Sequence, residues 1–365
     1  MPREPRVIAV FRMGHLGDTI VALPALWTVR KQFPKAKIVY LTQEHDAGRL
    51  TQGTDVLRPG TVFDEKLTYT LGSGGVSIPD ILATILRLRR AKVDTLIYIP
   101  SARSAKQLKR DAMFFKLAGI KQILGMEGYK GVVQYPRAKP LPTVPNVADV
   151  LLSHLKQDGV VSSESPEKLL DFGLSDEERR FGTDWLRQRG VDLSRPVVGI
   201  GPGSKMPSKL WPTERFIEVA RTLEERYGAS FLLFGSKEER EICQKIVDQV
   251  KHGINCAGEF TVRQSASIFE HCTLYVGNDT GTMHIAAASK VPCVAVFSAR
   301  DWPGRWSPYG RNHTVLRVAV DCEGCMLETC DKGNLCLTSI PVADVLAAAD
   351  RILNHEEAPS SVPKG

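Results

Sequence analysis

Four short stretches of this chain carry residue types whose spacing suits phosphate binding and proton transfer. In LYVGNDTGTMHIAAA, residues 274–288, an apolar run stops at Gly277-Asn278 and a helix-forming run follows. A short buried strand, a tight turn and a helix are expected there, with Asp279 or Thr280 as the cap. Free amides and the positive dipole end at such a helix start make an anion site. Gly281 lets a phosphate approach the backbone, Thr280 and Thr282 offer hydroxyls, and His284 lies about one turn in. The competing reading is an ordinary capped helix with a buried histidine.

The second stretch is GPGSKMPSKLWP, residues 201–212, where Ser204, Lys205 and Lys209 follow a strand-like PVVGIG. A lysine beside a glycine-rich loop can neutralise a phosphate, and Trp211 can fix the loop by packing. The stretch lacks the GKS or GKT ending of a nucleotide-hydrolase P-loop. Third, FGSKEERE at 234–241 places Glu238 or Glu239 at a helix start, to cap the helix or to grip ribose hydroxyls. Fourth, RMGHLGD at 12–18 follows the strand-like VIAVF. Gly14 and Gly17 allow a sharp turn there, and Asp18 is read as an N-cap or as a free carboxylate.

The elements needed to position these residues are legible in outline. Val7–Phe11, a helix from about Thr19 to Phe33 and the strand KIVYL form a β-loop-α-β unit. This implies a parallel sheet with its ligand site at the strand carboxyl ends. An amphipathic helix is expected over Asp80–Arg90 and a buried strand over Thr95–Ile99. The stretch from Ser101 to Lys121 bears Arg103, Lys106, Lys109 and Arg110, either a phosphate-recognising face or the solvated side of a helix. Proline-rich 135–145 reads as a surface loop, and polar 162–194, with a helix near 176–189, as the interdomain connection. A second α/β unit begins at Pro196. The expected division is a Rossmann-like domain over 1–170, a connection over 171–195, a second Rossmann-like domain over 196–340, a helix over 341–355 and a disordered tail over 356–365.

With 365 residues, 43% hydrophobic and 24% charged, the composition is that of a soluble protein of two domains. The net charge of +7 suits an anionic substrate or an anionic membrane surface. No early stretch resembles a signal peptide and no apolar run is of spanning length. A cytoplasmic protein without disulfides is therefore expected, with peripheral contact to the inner membrane as a further hypothesis. Cys322, Cys325, Cys330 and Cys336 cluster near the end. Four thiolates are the right number for a structural zinc or iron ion; the alternatives are free thiols or redox-labile pairs.

Taken together, GHLGDTIVALPAL, GPGSKMPSKLWP, FGSKEERE and GNDTGTMHIAAA resemble the bacterial lipopolysaccharide heptosyltransferase family, in order and spacing, over nearly the whole chain. The resemblance implies an α/β chain of GT-B architecture, two Rossmann-like parallel-sheet domains facing a cleft, the first binding the acceptor and the second the nucleotide sugar. It implies an inverting transfer that needs no cofactor or divalent metal, from ADP-heptose to an anionic lipopolysaccharide core precursor. By the same resemblance Asp18 is the general base. Lys209 and the Thr280-Gly281-Thr282 turn meet the diphosphate, with Ser204 in the same loop. Asp279 and His284 hold donor sugar and phosphate, and Glu239 grips the ribose, with Glu238 as the near alternative. Gly17, Arg103 and Lys106 are candidates on the acceptor side. Similar cysteines occur near the end of many members, and the last helix is expected to pack back towards the first domain. The rivals are another GT-B transferase, a sugar-nucleotide epimerase, and a nucleotide-binding or cysteine-metal scaffold.

Overall fold

The structure, a computed structural model, describes residues 5–45, 55–71, 76–100, 103–130, 135 and 137–355. The tail expected over 356–365 lies outside the described residues, as does Pro136 of the proline-rich stretch. The chain divides into two compact units, Met1–Tyr135 with Pro145–Gly173, and Pro136–Val144 with Leu174–Gly365.

In the first unit, in chain order, lie β1 (Val7–Phe11), α1 (Leu16–Ile20), α2 (Leu23–Gln32), β2 (Lys37–His45), β3 (Glu65–Leu71), α3 (Ile78–Arg90), β4 (Thr95–Tyr98), α4 (Ala105–Leu117), β5 (Gln122–Leu124) and α5 (Val147–Gln157). The strands form a five-stranded sheet in the order β3-β2-β1-β4-β5, and every pairing is parallel. Central β1 and β4 are continuous apolar runs because helices cover both faces of such a sheet. The chain first works outward from β1 to β3, then returns to β4, so the order reverses between β1 and β4. Ligand sites of open parallel sheets lie at this reversal, outside the strand carboxyl ends. The single helix expected from Thr19 to Phe33 is instead two, α1 and α2. Pro24 has no N–H to give, and in a continuous helix its ring would strike the carbonyl of residue 20; it is tolerated in the first turn of a new helix.

The second unit contains α6 (Asp176–Gln188), β6 (Val197–Gly201), α7 (Thr213–Tyr227), β7 (Ser230–Leu233), α8 (Arg240–Val247), β8 (Gly253–Asn255), α9 (Val262–Phe269), β9 (Leu274–Asn278), α10 (Gly281–Ala288), β10 (Cys293–Phe297), β11 (Thr314–Arg317), α11 (Leu335–Thr338) and α12 (Val342–Leu353). Its six strands run in the order β11-β10-β9-β6-β7-β8, all parallel, and the reversal lies between β6 and β9. Three features differ from expectation. The helix read as interdomain connection, α6, packs on α9 within the second unit. The proline-rich loop is a strap on that unit. Leu141 donates its N–H to the buried Glu323 carboxylate at 2.7 Å, and Val144 donates to the Pro303 carbonyl at 2.9 Å. The last helix, expected to pack back towards the first domain, instead buries Val345, Ala348 and Ala349 in the second unit's core with Trp211 and Phe216. An apolar row matched to an open core face decides that packing, whatever the helix's place at the chain's end.

The α6–α9 contact carries a charge pair with a measurable consequence. The Arg263 guanidinium grips Glu178 through two bonds, at 2.5 and 2.8 Å, and Glu178 also accepts the Ser175 N–H at 2.8 Å. These donors, Arg263 first, lower the Glu178 carboxyl from its ordinary 4.5 to about 2. Because the folded value lies below the unfolded one, the stabilisation is complete above pH 4.5 and fades as pH falls towards 2. Glu178→Gln should flatten that part of the acid unfolding profile and cost roughly 1 kcal/mol near neutrality, since solvent reaches the pair. Thermal midpoints of both proteins between these pH values check it. Parallel profiles would remove Glu178 from the account of acid stability.

Candidate active site

At the reversal point of the first unit, Arg12 leaves β1 only 1% exposed. A buried guanidinium demands acceptors, and Arg12 has two from separate elements. Nη1 donates to the Ile99 carbonyl at 2.9 Å and Nη2 to the Asp18 carbonyl at 2.5 Å. The loops after β4 and β1 are thereby tied together across the reversal. Nη2 also lies 3.7 Å from Asp18 Oδ1, and the Asp18 side chain is 23% exposed. Asp18 is the third residue of α1, and its Oδ2 accepts the His15 N–H at 3.1 Å. His15, not Asp18, is the N-cap of α1; Asp18 supports the cap from the third helical position while its side chain stays partly exposed beside Arg12. At Gly14, φ is +134°, and a Cβ there would lie 2.4 Å from the Asp18 Cβ, so only glycine allows the loop to pass this close.

Gly17 lies beside Asp18 in α1, and its carbonyl accepts the Val21 N–H at 3.0 Å. Arg103 reaches the same loop, contacting the Met13 thioether, while its Nε lies 3.3 Å from the buried Asp111 carboxylate. Asp111 is held in turn by the Tyr98 hydroxyl at 2.7 Å. Lys106 is exposed on α4.

In the second unit the loops after β6 and β9 meet at the reversal. Lys209 Nζ lies 2.6 Å from Asp279 Oδ2 and donates to the Asp279 carbonyl at 3.3 Å, the two side chains being 16% and 7% exposed. Asn278 is wholly buried and joins the same loops: its Oδ1 accepts the Trp211 N–H at 3.2 Å and its Nδ2 donates to the Pro202 carbonyl at 2.8 Å. Thr280 is the N-cap of α10, but no side chain caps this helix. The Asp279 carboxylate is engaged by Lys209, so neither expected cap closes the helix start. Its first amides, from Gly281, Thr282 and Met283, stand at the carboxyl end of β9 beside an ammonium group, an arrangement that attracts an anion. His284 is buried in the first turn, its ring centroid 6.5 Å from that of Trp306.

Glu239 Oε2 accepts the Ser236 N–H at 2.7 Å, and the carboxylate lies over the β6 loop. A Cβ at Gly203 would come within 2.3 Å of its Cδ and Oε1. Glu238 is exposed, so of the two candidates it is Glu239 that joins the loop. Ser204 Oγ accepts the Met206 N–H at 3.1 Å and shapes the turn.

The cysteine segment bonds to the turn that carries Lys209. Ser208 donates its N–H to the Glu328 carbonyl at 3.0 Å and its hydroxyl to the Leu327 carbonyl at 2.7 Å. Asn334 Nδ2 donates to the Pro207 carbonyl at 2.9 Å. Cys325 is exposed and Cys322, Cys330 and Cys336 are partly buried. Among the described residues no three or more His, Cys, Asp or Glu side chains converge to hold a metal ion. The thiols stand in a segment that supports the Lys209 turn.

Sequence reasoning missed Arg12, Asn278 and Asn334. A charged residue directly after the apolar VIAVF was the available signal for Arg12. Asn278 was read only as the end of a strand, and nothing local marks Asn334 as a partner of a turn over a hundred residues earlier.

Residues 89–336 match the family model of Glycosyltransferase family 9 (heptosyltransferase). The chain belongs to this family. It is a glycosyltransferase, and its two parallel-sheet units are those of the GT-B heptosyltransferase structures. Lipopolysaccharide heptosyltransferase 2 of Escherichia coli K12 is 24% identical over 323 residues, covering 85% of this chain and 88% of that one. The crystal structure of a family 9 glycosyl transferase from Veillonella parvula superposes with a TM-score of 0.74 at 22% identity, covering 96% and 98% of the two chains. An E. coli heptosyltransferase solved with ADP-2-deoxy-2-fluoro heptose gives a TM-score of 0.64 at 16% identity, covering 96% and 99%. No helix among the described residues is long and apolar enough to cross a membrane.

Proposed function

We propose that this enzyme transfers a heptose from ADP-heptose to a hydroxyl of a lipopolysaccharide inner-core acceptor, inverting the anomeric centre in a single displacement without a divalent metal. The observation that carries the donor half is the uncapped start of α10 beside the Lys209–Asp279 pair at the sheet reversal. Heptosyltransferase relatives, one of them solved with an ADP-heptose analogue, support the choice of sugar nucleotide.

In this reading the acceptor oxygen attacks the anomeric carbon, the bond from that carbon to the diphosphate oxygen breaks, and ADP leaves. Asp18 takes the hydroxyl proton, a task that its partly exposed carboxylate suits. Lys209, the amides of Gly281 and Thr282, and the Thr280 and Thr282 hydroxyls receive the charge that grows on the diphosphate. Fixed donors of this kind act where charge develops and need no reorganisation as it does so. Glu239 takes the ribose hydroxyls, Asp279 and His284 orient sugar and phosphate, and Gly17 and Arg103 face the anionic acceptor. A structural zinc or iron at Cys322, Cys325, Cys330 and Cys336 would require that segment to regroup; elemental analysis of protein prepared without chelators reads it directly.

Thermal shift with ADP, UDP, GDP, CDP and dTDP tests the donor. At about a hundred times its dissociation constant a ligand adds roughly 2.7 kcal/mol, enough to move the midpoint by degrees. Selective stabilisation by ADP is expected. A response to another nucleotide alone would remove ADP-heptose from the proposal, and a response to none would favour a scaffold on a transferase fold.

A further inference from the structure

β9 carries one polar side chain at the donor site that the transfer reading leaves without a task. Tyr275 is wholly buried, on the opposite face of the strand from the core residues Leu274 and Val276. Its partner on β6 is Gly199, and two residues further towards the carboxyl ends Gly201 pairs with Gly277. A Cβ at Gly201 or at Gly277 would overlap the Tyr275 hydroxyl, so the ring lies along the sheet with its oxygen at the strand ends. Phe269 of α9 meets the ring edge-on, the centroids 5.8 Å apart. Phe269 in turn needs Gly199, where a Cβ would lie 2.8 Å from its ring. Glycines weaken a strand and mark close approach. Here they open a slot that brings one phenol oxygen to the reversal between β6 and β9.

The oxygen arrives there without a partner. Among the described residues no group meets it in hydrogen-bond geometry, whereas buried polar atoms are nearly always satisfied. Burial above all pushes the phenol well above its usual range; Cys293 and Glu239 add to the shift and the Thr280 hydroxyl opposes it. The group keeps its proton and remains a donor. Two of the groups that act on it, Thr280 and Glu239, are those assigned above to diphosphate and ribose. Thr280 is the N-cap of α10, yet its side chain caps no amide of the helix.

Resting on the donor reading above, we propose that Tyr275 is a positioning residue for the diphosphate. With phosphate at the start of α10, the Tyr275 hydroxyl donates to Thr280 Oγ. Thr280, its acceptor side taken, directs its own proton to a phosphate oxygen. Two hydroxyls in series polarise one another, so the bond from Thr280 to phosphate is stronger than that of an isolated threonine. Both protons stay on their own oxygens. The Tyr275 hydroxyl gains its bond with the donor in place, which favours the bound state.

Tyr275→Phe removes the oxygen and keeps the ring. Calorimetric titration of the full chain with ADP should show about a fivefold loss of affinity, as expected for one neutral hydrogen bond. Titration with adenosine, which brings no phosphate, should give the wild-type affinity. The thermal midpoint without ligand should hold or rise, because an unpaired buried hydroxyl is gone. In a Thr280→Val background, Tyr275→Phe should add no further loss, since the phenol acts through the Thr280 hydroxyl. Additive losses in that double variant, equal losses for ADP and adenosine, or a lowered midpoint without ligand would each overturn the proposal. If the wild type ignores ADP, the donor reading and this inference fall together. If the wild type binds ADP and Tyr275→Phe binds it as tightly, this inference falls alone.

Discussion

Asp18→Asn lowers the rate of sugar transfer by about a thousandfold, within the range that a positioned general base contributes, and leaves the affinity for ADP within a factor of two or so of wild type. The separation follows from the partition of the chain. Asp18 belongs to the first unit, and the nucleotide groups named above belong to the second. Asparagine retains an oxygen to accept the His15 N–H, so the start of α1 persists and the loss reads on proton transfer rather than on folding. Asp18→Ala removes the cap as well, and should lose a further kilocalorie or so of stability on top of the same loss of rate. Rates under saturating donor and acceptor, with ADP titrations alongside, decide the point. Wild-type turnover in Asp18→Asn would remove the carboxylate from the chemistry.

Lys209→Met is expected to damage stability and donor binding together, and the two effects separate in a double variant. Removing the ammonium strands the Asp279 carboxylate at 7% exposure. Breaking a fully buried pair costs about 3–5 kcal/mol, and the partial exposure of Lys209 puts this pair below that range. Affinity for ADP should fall by about thirtyfold, the worth of one charge-assisted bond to phosphate. In Lys209→Met/Asp279→Asn the stranded charge is gone, so the thermal midpoint should recover most of its loss while the affinity stays low. Calorimetric titration and thermal melts on the four proteins of the cycle make the comparison. Recovery of both quantities would mean that Lys209 serves only to neutralise Asp279, and the diphosphate would need another cation.

The local geometry of the candidate site was legible before any fold was known, because each of its stretches is short and continuous. Asp279, Thr280, Gly281, Thr282 and His284 are consecutive or nearly so, and a strand-turn-helix start follows from an apolar run, a glycine and a helix-forming run. The same holds for Asp18 after β1 and for Lys209 after β6. The parallel sheets were legible too, since alternating strand and helix patterns have few other solutions. What stayed hidden depends on partners distant in the chain. The exception is local: Pro24 split one expected helix into two, although the apolar pattern runs on through it. The 137–144 strap, α6 and α12 went to the second unit because buried rows and single bonds, such as Leu141 to Glu323, found their complements there.

By itself, then, the sequence determined which residues stand at the strand ends and what chemistry each can do, because backbone geometry converts short-range pattern into strand, turn and helix start. Only the tertiary structure decided what those residues meet. It paired Lys209 with Asp279, tied Arg12 to both Asp18 and Ile99, and set Glu239 rather than Glu238 over Gly203. It bonded the cysteine-bearing segment to the Lys209 turn and left Ile78, Leu82 and Leu86 of α3 exposed. Each of these depends on distances between segments many residues apart, and packing sets such distances where local propensity cannot.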